Sequence, residues 1–401
     1  MPVSADSKQV PRRGFGLYVH WPFCVSKCPY CDFNSHVREQ VDAARWQAAY
    51  LRELDHYAAA GIGQGETITS IFFGGGTPSL MSPQMAAAIL DRIAHHWTVS
   101  PDVEVTLEAN PNSAEAGKFA TFASAGVNRL SIGVQSFRAE ALKFLGRAHD
   151  ADEARRAIAA AQKAVPRYSF DLIYGRPGQS EADWRTELTE ALALAGDHLS
   201  LYTLTIEPNT GFAGAVARGV LMPMTADAQA ALYDVTQEIM EQAGMPAYEI
   251  SNHARPSSEG LAGGESRHNL VYWRSGDYIG IGPGAHGRIH RDGHWAGTTT
   301  RRKPEAWLEQ VEADGHGRES ETPVSASERA EEALMMGLRL AEGVYAANFH
   351  AATGLSLDDV VPQDRSAPLV KAGLLERTPE KIVATKDGRA VLDGLLAKLL
   401  A

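Results

Sequence analysis

Apolar segments of strand-like length alternate with helical segments along the first half of the chain. Strands are predicted at residues 16–22, 70–74, 104–109, 129–135, 169–174 and 199–206. Helices are predicted between them, at residues 43–59, 83–96, 114–125, 151–164 and 181–195. Six successive βα units predict a parallel sheet, because parallel strands must be joined by crossover segments. Since a closed (β/α) barrel needs eight units, we expect an α/β fold with a partial (β/α)6 barrel.

Polar or glycine-rich motifs follow each predicted strand. In chain order they are CVSKCPYC, GGGTPS, EANP, VQSF, DLIYG and TIEPN. The carboxyl ends of parallel strands meet at one edge of the sheet, and ligands bind at that edge in parallel α/β folds. Any single motif could be structural, but six at one edge predict a ligand site there.

Two further regions follow the predicted barrel, which we place at residues 1–240. Residues 241–310 form a connecting region that carries the segment HNLVYW. Residues 311–401 are predicted to form a small α+β domain resembling a winged helix, because a helix-strand-turn-strand-helix pattern follows a capped helix. Winged helices often bind DNA, but residues 321–401 hold 12 acidic and 9 basic side chains. We therefore expect this domain to be a cover or an interaction surface.

Composition narrows the class of protein. Hydrophobic residues make up 44% and charged residues 22% of the chain, as in soluble globular enzymes. The first fifteen residues lack the apolar stretch of a secretion signal, and no apolar run reaches the roughly 18 residues of a membrane span. We expect a cytoplasmic protein without a transmembrane segment. The net charge of −11 disfavours nucleic acid as a partner.

All three cysteines of the 401-residue chain lie in CVSKCPYC, directly after the first predicted strand. A clustered, odd set in a reducing compartment argues against disulfides and for a metal site or catalysis. A structural zinc site or an electron-transfer iron–sulfur cluster would use four ligands, whereas three cysteines leave one iron free for a substrate. The alternatives are three buried structural thiols, or zinc with His20 or His36 as the fourth ligand.

The spacing C-x3-C-x2-C resembles the signature of radical S-adenosylmethionine (SAM) enzymes. The resemblance implies that Cys24, Cys28 and Cys31 bind a [4Fe–4S] cluster whose open iron is chelated by the amino and carboxylate groups of SAM. It also implies that reduction of the cluster cleaves SAM to methionine and a 5′-deoxyadenosyl radical.

Motifs over most of the chain resemble one branch of this superfamily, the coproporphyrinogen III oxidase-like proteins, and within it the haem chaperones. The motifs are YVHWPFCVSKCPYCDFNSH, FFGGGTPSL, LEANP, RLSIGVQSF, DLIYGRPGQ and HNLVYW. The oxidase has a further cysteine where this chain has Phe33, and a longer arm before the cluster motif, where this chain has 23 residues. Arg176 stands where the pattern leads us to expect an apolar residue, and the sequence does not account for it.

The resemblance also assigns a SAM site. Its residues are Tyr18, Tyr30, Gly75, Gly76, Thr77, Glu108, Gln135, Arg147 and Asp171. Gly74, Gly75 and Gly76 would let the methionine end of SAM lie against backbone amides, Glu108 would accept from its ammonium, and Asp171 would bind ribose hydroxyls. The alternatives are a structural turn, strand-end or solvated carboxylates, and a surface arginine at position 147.

The segment SRHNLVYWRSGDYIGIGPGAHG, residues 266–287, is the second candidate site. It resembles the HNxxYW element of haem chaperones, which implies a haem site at His268, Asn269, Tyr272 and Trp273. A histidine among aromatic rings suits a flat iron-bearing ligand, but it also describes a hydrogen-bonded core histidine. His253 and His286 are competing axial ligands, and GIGPGAHG predicts tight turns near a ligand or the cluster.

We therefore expect a haem chaperone that binds a [4Fe–4S] cluster, SAM and haem, and delivers haem to acceptor proteins such as respiratory cytochromes, including acceptors at the membrane surface. In this hypothesis the SAM motif serves a role other than turnover, and we expect no coproporphyrinogen oxidase activity. One alternative is an oxygen-independent coproporphyrinogen III oxidase or another radical SAM enzyme acting on a tetrapyrrole. The other is a zinc-stabilised scaffold.

Overall fold

The computed structural model describes residues 10–38, 40–257 and 263–400. Six parallel strands form the centre of one sheet, in chain order from β1 to β6. They are β1 (Phe15–Trp21), β2 (Thr67–Gly75), β3 (Thr98–Ala109), β4 (Arg129–Gln135), β5 (Arg167–Tyr174) and β6 (His198–Thr203). Each predicted strand overlaps one of these, so the predicted partial barrel is confirmed.

Helices connect the six strands across one face of the sheet. They are α1 (Ala43–Ala59), a short 3₁₀ helix (Pro78–Leu80), α2 (Pro83–His96), α3 (Ser113–Ala116), α4 (Phe119–Ser124), α5 (Ala139–Phe144), α6 (Ala151–Ala164) and α7 (Glu181–Leu192). The helix predicted at 114–125 is divided in two at Gly117, a residue type that disfavours helix interiors. The other predicted helices begin where the structure begins them, because side-chain caps such as Asp42 and Ser82 fix their first turns.

The sheet continues beyond the six central strands and reaches eleven strands. Next to β6 lies the antiparallel β7 (Asn252–Ala254), and next to β1 lies the parallel β8 (Asp277–Ile281). Three antiparallel strands then follow: β9 (His286–Arg291), β10 (His294–Thr300) and β11 (Arg318–Val324). The sheet thus runs through the predicted connecting region and past residue 310. Its helices are α8 (Gly211–Ala217), α9 (Ala226–Gln242), α10 (Arg267–Trp273) and α11 (Pro304–Asp314).

The two faces of the sheet differ in polarity. On β1, Leu17 and Val19 are fully buried in the core between the strands and the helices. The alternate residues point to the concave side, which we call the lumen, because strand side chains alternate between faces. A Cβ on Gly16 would contact side chains of this lumen, Ser70 and His268. Helices therefore cover the apolar face, and the polar face stays available to a ligand.

Residues 326–400 fold around their own hydrophobic core. Helices α12 (Ala326–Gly337), α13 (Ala346–Thr353), α14 (Leu357–Val360), α15 (Gln363–Lys371), α16 (Lys386–Ala390) and α17 (Leu392–Leu399) surround a three-stranded sheet. Its strands are β12 (Val344–Tyr345), β13 (Leu375–Arg377) and β14 (Lys381–Ala384). The order helix, strand, turn, strand, helix confirms the winged-helix-like pattern. Among the residues that the structure describes, none of the helices combines the length and apolar character needed to span a bilayer.

Candidate functional site

An open cavity of about 220 Å³ lies at the carboxyl ends of the central strands. It brings the three cysteines together with eight of the nine residues predicted for SAM, although these lie up to 147 positions apart. The eight are Tyr30, Gly75, Gly76, Thr77, Glu108, Gln135, Arg147 and Asp171. The motifs quoted at the ends of five successive strands thus line one cavity.

Each cysteine thiol is free and has a polar neighbour. The Thr77 hydroxyl donates to Cys24 Sγ over 3.3 Å, and Arg147 Nη1 donates to Cys28 Sγ over 3.3 Å. Cys31 Sγ lies 3.9 Å from the hydroxyl of Ser35. Burial raises the pKa of the Cys24 and Cys31 thiols. Donors aimed at sulfur stabilise thiolates, the form in which cysteine binds metal.

The loop that carries the cysteines is held from two sides. Asn34 Nδ2 donates to the carbonyls of Pro283 and Arg302, each over 2.9 Å. On the other side, the amide of Phe212 donates to the carbonyl of Pro29 over 2.8 Å. A Cβ on Gly284 would lie 2.4 Å from the Asn34 side chain. The turn predicted in GIGPGAHG therefore packs directly against the cysteine loop.

The two histidines considered as zinc ligands have protein partners. His20 Nδ1 contacts the Tyr18 hydroxyl over 3.0 Å and His20 Nε2 contacts the Asn34 carbonyl over 2.9 Å. Burial lowers the pKa of His20 to about 4. His36 Nε2 lies 3.3 Å from Asn34 Oδ1. In the described part of the chain, no three His, Cys, Asp or Glu side chains converge as a single-ion site requires.

The glycines after β2 differ from the predicted amide cradle. The amide of Gly75 donates to Glu108 Oε2 over 3.1 Å, and that of Gly76 donates to the Trp21 carbonyl over 2.7 Å. Gly75 has φ +111°, and a Cβ on it would lie 2.6 Å from the His20 ring. The positive φ and the nearby His20 ring therefore require glycine at position 75. Of the two amides, only that of Gly75 donates to a side chain, Glu108, that a ligand could bind instead.

Two carboxylates from neighbouring strands lie in the cavity. Burial, together with the nearby charge of Asp171, raises the pKa of Glu108 to about 8. Burial also raises the pKa of Asp171 to about 6, against the opposing effect of hydrogen bonding by Ser200. Burial disfavours the ionised form of both carboxyl groups, and a cation bound between Glu108 and Asp171 would stabilise that ionised form. The pair suits a ligand that carries positive charge.

Arg147 is not a surface arginine. Besides Cys28, its guanidinium donates to Asn110 Oδ1 over 2.7 Å and to the Gly133 carbonyl over 2.8 Å. Asn110 in turn donates to the Thr77 hydroxyl over 3.0 Å, so it joins the partners of two cysteines. Asn110 lies in the motif EANP, but no role was predicted for it from the sequence. Its position directly after β3, whose last two residues are Glu108 and Ala109, was the available signal.

Gln135 has both strain and an unmet hydrogen bond. Its φ is +69°, in the left-handed region that non-glycine residues rarely adopt. Its side-chain Oε1 is buried without a hydrogen-bond partner and the residue lines the cavity. Buried polar atoms are nearly always paired, so this oxygen indicates a ligand that supplies a donor.

Tyr18, the ninth predicted residue, lies deeper in the lumen among other rings. It stacks on Phe72 with centroids 6.3 Å apart, and Phe72 stacks on His268 at 5.0 Å. Tyr272 contacts His268 at 4.7 Å and Tyr278 at 4.5 Å. We call these five residues the aromatic group. The four other than His268 are partly exposed.

The HNLVYW residues are divided between two surroundings. His268 is 1% exposed, with Nδ1 at 2.9 Å from the Ser70 hydroxyl and Nε2 at 2.7 Å from the Tyr272 hydroxyl. Burial lowers its pKa to about 3. Trp273 instead lies 4.6 Å from the Arg339 guanidinium, toward the C-terminal domain. In this conformation both nitrogens of His268 are engaged, so binding iron would require one bond to break.

The remaining candidates of this segment have other surroundings. The Asn269 amide donates to Ser266 Oγ over 3.4 Å, a helix cap. His253 is buried with Nε2 at 3.4 Å from Gln237 Nε2, and burial lowers its pKa to about 4. His286 is exposed on β9. None of these three belongs to the aromatic group.

Comparisons with known proteins agree with this geometry. The chain matches the Radical SAM superfamily over residues 18–191 and the HemN C-terminal domain over residues 324–391. The heme chaperone HemW of Escherichia coli (strain K12) is 40% identical, over 96% of this chain and 98% of that protein. The mitochondrial radical S-adenosyl methionine domain-containing protein 1 of Bos taurus is 38% identical, over 96% of this chain and 87% of that protein.

A solved structure gives the same fold. Coproporphyrinogen III oxidase (HemN) from Escherichia coli aligns with a TM-score of 0.79 over 98% of this chain and 92% of that one. At 22% identity this likeness shows the fold alone. The haem chaperone relatives are more similar in sequence and match almost end to end. The chain therefore belongs to the radical SAM haem chaperone family, in the group related to oxygen-independent coproporphyrinogen III oxidase.

Proposed function

We propose that the chain binds a [4Fe–4S] cluster and SAM at the cysteine cavity, binds haem, and delivers haem to acceptor proteins such as respiratory cytochromes. The observation that carries the proposal is the cavity itself. Three free thiols with hydrogen-bond donors share it with two carboxylates of raised pKa and an unpaired Gln135 oxygen.

The donor set fits an iron–sulfur cluster. Cys24, Cys28 and Cys31 would be its protein ligands, since they are the cysteines of the chain and thiolates are the favoured ligands of such clusters. Thr77 and Arg147 would donate to ligating sulfurs, which tunes a cluster through its outer shell. When bound and reduced, such a cluster would supply one-electron chemistry to SAM.

The carboxylates fit the charge of SAM. Glu108 would accept from the ligand's ammonium in place of the Gly75 amide, and Asp171 would accept from ribose hydroxyls. Gln135 Oε1 would accept a further donor of the ligand. Tyr30, whose hydroxyl lies 3.5 Å from Arg147 Nη1, would form the wall beside Cys28.

The lumen supports haem as cargo. The aromatic group offers four partly exposed rings to a flat apolar ligand, which stacks favourably on such surfaces. His268 would become an axial ligand after one of its bonds, to Ser70 or Tyr272, is released. Asn269 and Trp273 would then act by fixing the helix that carries His268 and Tyr272.

Phe33 favours a protein that carries haem as cargo over one that uses coproporphyrinogen III as a substrate. It occupies the position of the oxidase's further cysteine, lines the cavity and is 58% exposed. The competing function is decarboxylation of coproporphyrinogen III at the same cavity. Anaerobic reconstitution with iron and sulfide, followed by haem titration and a coproporphyrinogen assay, separates the two. Stoichiometric haem without carbon dioxide release supports the chaperone, and carbon dioxide release supports the oxidase.

A further inference from the structure

Gln135 stands on an irregular strand end. The register between β4 and β5 shifts between Ile132 and Gln135, so the strand bulges just before it leaves the sheet. A bulge re-aims the following side chain, and the left-handed φ of +69° is unfavourable for a glutamine. Such a conformation persists only when its surroundings hold it, and strain of this kind is concentrated at functional sites.

The residues directly after Gln135 are held from the outer, helical side of the sheet. Glu187 of α7 accepts from the Ser136 hydroxyl and, over 3.0 Å, from the Phe137 amide. Arg176 donates to the same Ser136 hydroxyl over 2.9 Å. Ser136 and Glu187 are fully buried, at 0% and 1% exposure. The chain beyond Gln135 therefore cannot move without breaking several buried bonds.

Arg176 and Glu187 also bind each other. Arg176 Nη2 donates to Glu187 Oε2 over 2.5 Å, and Arg176 Nη1 reaches the carbonyl of Ile173 over 3.2 Å. Both side chains are at most 9% exposed. A buried ion pair is weak evidence for stability, because desolvation offsets the attraction, so a role in fixing a unique local conformation is the better account of its presence. This pair accounts for Arg176, the residue that the family pattern left unexplained.

We propose that the Arg176–Glu187 ion pair is a positioning device for the SAM site, which holds Gln135 in its left-handed conformation so that its side chain lines the cavity. The inference rests on the proposed SAM site. Neither Arg176 nor Glu187 lines the cavity, so their effect reaches the ligand through Ser136 and Gln135.

The test compares two double variants of the reconstituted protein. Arg176→Leu with Glu187→Gln removes the ion pair but leaves an acceptor for Ser136 and Phe137. The matched control, Arg167→Leu with Glu104→Gln, breaks another pair, 2.6 Å apart, at the opposite end of β5 and away from the cavity. The first variant should bind SAM about tenfold more weakly, as expected for one lost buried hydrogen bond, with unchanged cluster content. The control should lose stability without losing SAM affinity.

A double-mutant cycle separates positioning from general loosening. In a Gln135→Ala background, the Arg176→Leu/Glu187→Gln change should have no further effect on SAM affinity, because the group it positions is gone. If the double variant does not fold, Ser136→Ala replaces it as the test. This small change removes the hydroxyl that Arg176 and Glu187 share, and it should also lower the affinity for SAM. Additive effects with Gln135→Ala, or an equal loss in the control, overturn the proposal. A native protein that binds no SAM overturns the proposed SAM site as well.

Discussion

Arg147 donates from one terminal nitrogen to the sulfur of Cys28 over 3.3 Å. The other nitrogen donates to Asn110 and to the backbone of Gly133, so one side chain joins the cysteine loop to β3 and β4. The distance in sequence is 119 residues. Assembly of the cysteine site thus depends on β3 and β4 being in place beside the cysteine loop.

The first prediction concerns this contact. Arg147→Met removes the donor to Cys28, and outer-shell partners of metal ligands typically contribute about 10–100-fold to metal affinity. We expect iron to be lost to a chelator at least about tenfold faster, followed by the decay of the charge-transfer absorbance. Arg155→Met, which removes exposed contacts to Asp152 and Glu190, is the control and should retain iron like the native protein. Equal rates in the two variants would show that Arg147 does not support the cluster.

The second prediction concerns Gly75. A Cβ there would lie 2.6 Å from the His20 ring and would require a φ of +111° that side-chain-bearing residues rarely adopt. His20 in turn bonds the Asn34 carbonyl of the cysteine loop. Gly75→Val should therefore lower cluster content and SAM affinity together. Gly65→Val is the control, because Gly65 also has a positive φ, +85°, but has nothing within 4 Å for a Cβ to meet. Loss of SAM binding with a full cluster would instead support a direct contact between Gly75 and SAM.

The third prediction is a pH dependence. Glu108 has a pKa raised to about 8 by burial, so below pH 8 it is mostly protonated in the free protein. A cationic ligand binds the ionised carboxylate, so binding at lower pH must displace a proton. SAM affinity should therefore rise with pH up to about 8, and calorimetry below that pH should detect proton release in buffers of different ionisation enthalpy. Glu108→Gln should abolish this proton release. If the variant still releases a proton on binding SAM, the proton comes from a group other than Glu108.

The fourth prediction uses the hydrogen bond between Tyr272 and His268. If His268 Nε2 binds haem iron, Tyr272→Phe frees it and should tighten haem binding by about threefold to tenfold, the value of one net hydrogen bond. His268→Ala should shift or weaken the Soret band with cluster content unchanged. Unchanged haem affinity in both variants would make His268 a core residue, with His286 the exposed alternative.

The central strands and helices could be predicted because their signals are local. Alternating hydrophobicity, caps such as Asp42 and Ser82, and the motifs at the strand ends each act within a few residues. The outer strands β8 to β11 were not predicted, and Gly280 in β8 and Gly297 in β10 interrupt the apolar patterns that would have indicated two of them. Of these four strands, only β8 pairs with β1, and β9, β10 and β11 are each placed by pairing with the strand before them.

The site residues could be listed by resemblance, but their contacts could not be predicted. The use of the Gly75 amide by Glu108, the burial of His268 between Ser70 and Tyr272, and the pairing of Arg176 with Glu187 all join distant parts of the chain. No local sequence pattern predicts which distant group a polar side chain will contact in the folded protein. The pKa shifts of Glu108 and Asp171 have the same origin, because burial exists only in the folded protein.

The haem chaperone function is tested most directly with one preparation of the anaerobically reconstituted protein. One half is mixed with haem and the other with coproporphyrinogen III, each with SAM and a reductant. We expect a Soret band that saturates at a fixed ratio of haem to protein, and no carbon dioxide from coproporphyrinogen III. Transfer of the bound haem to an apocytochrome should follow when the two are mixed. Release of carbon dioxide from coproporphyrinogen III at catalytic turnover would contradict the proposal that the protein is a haem chaperone.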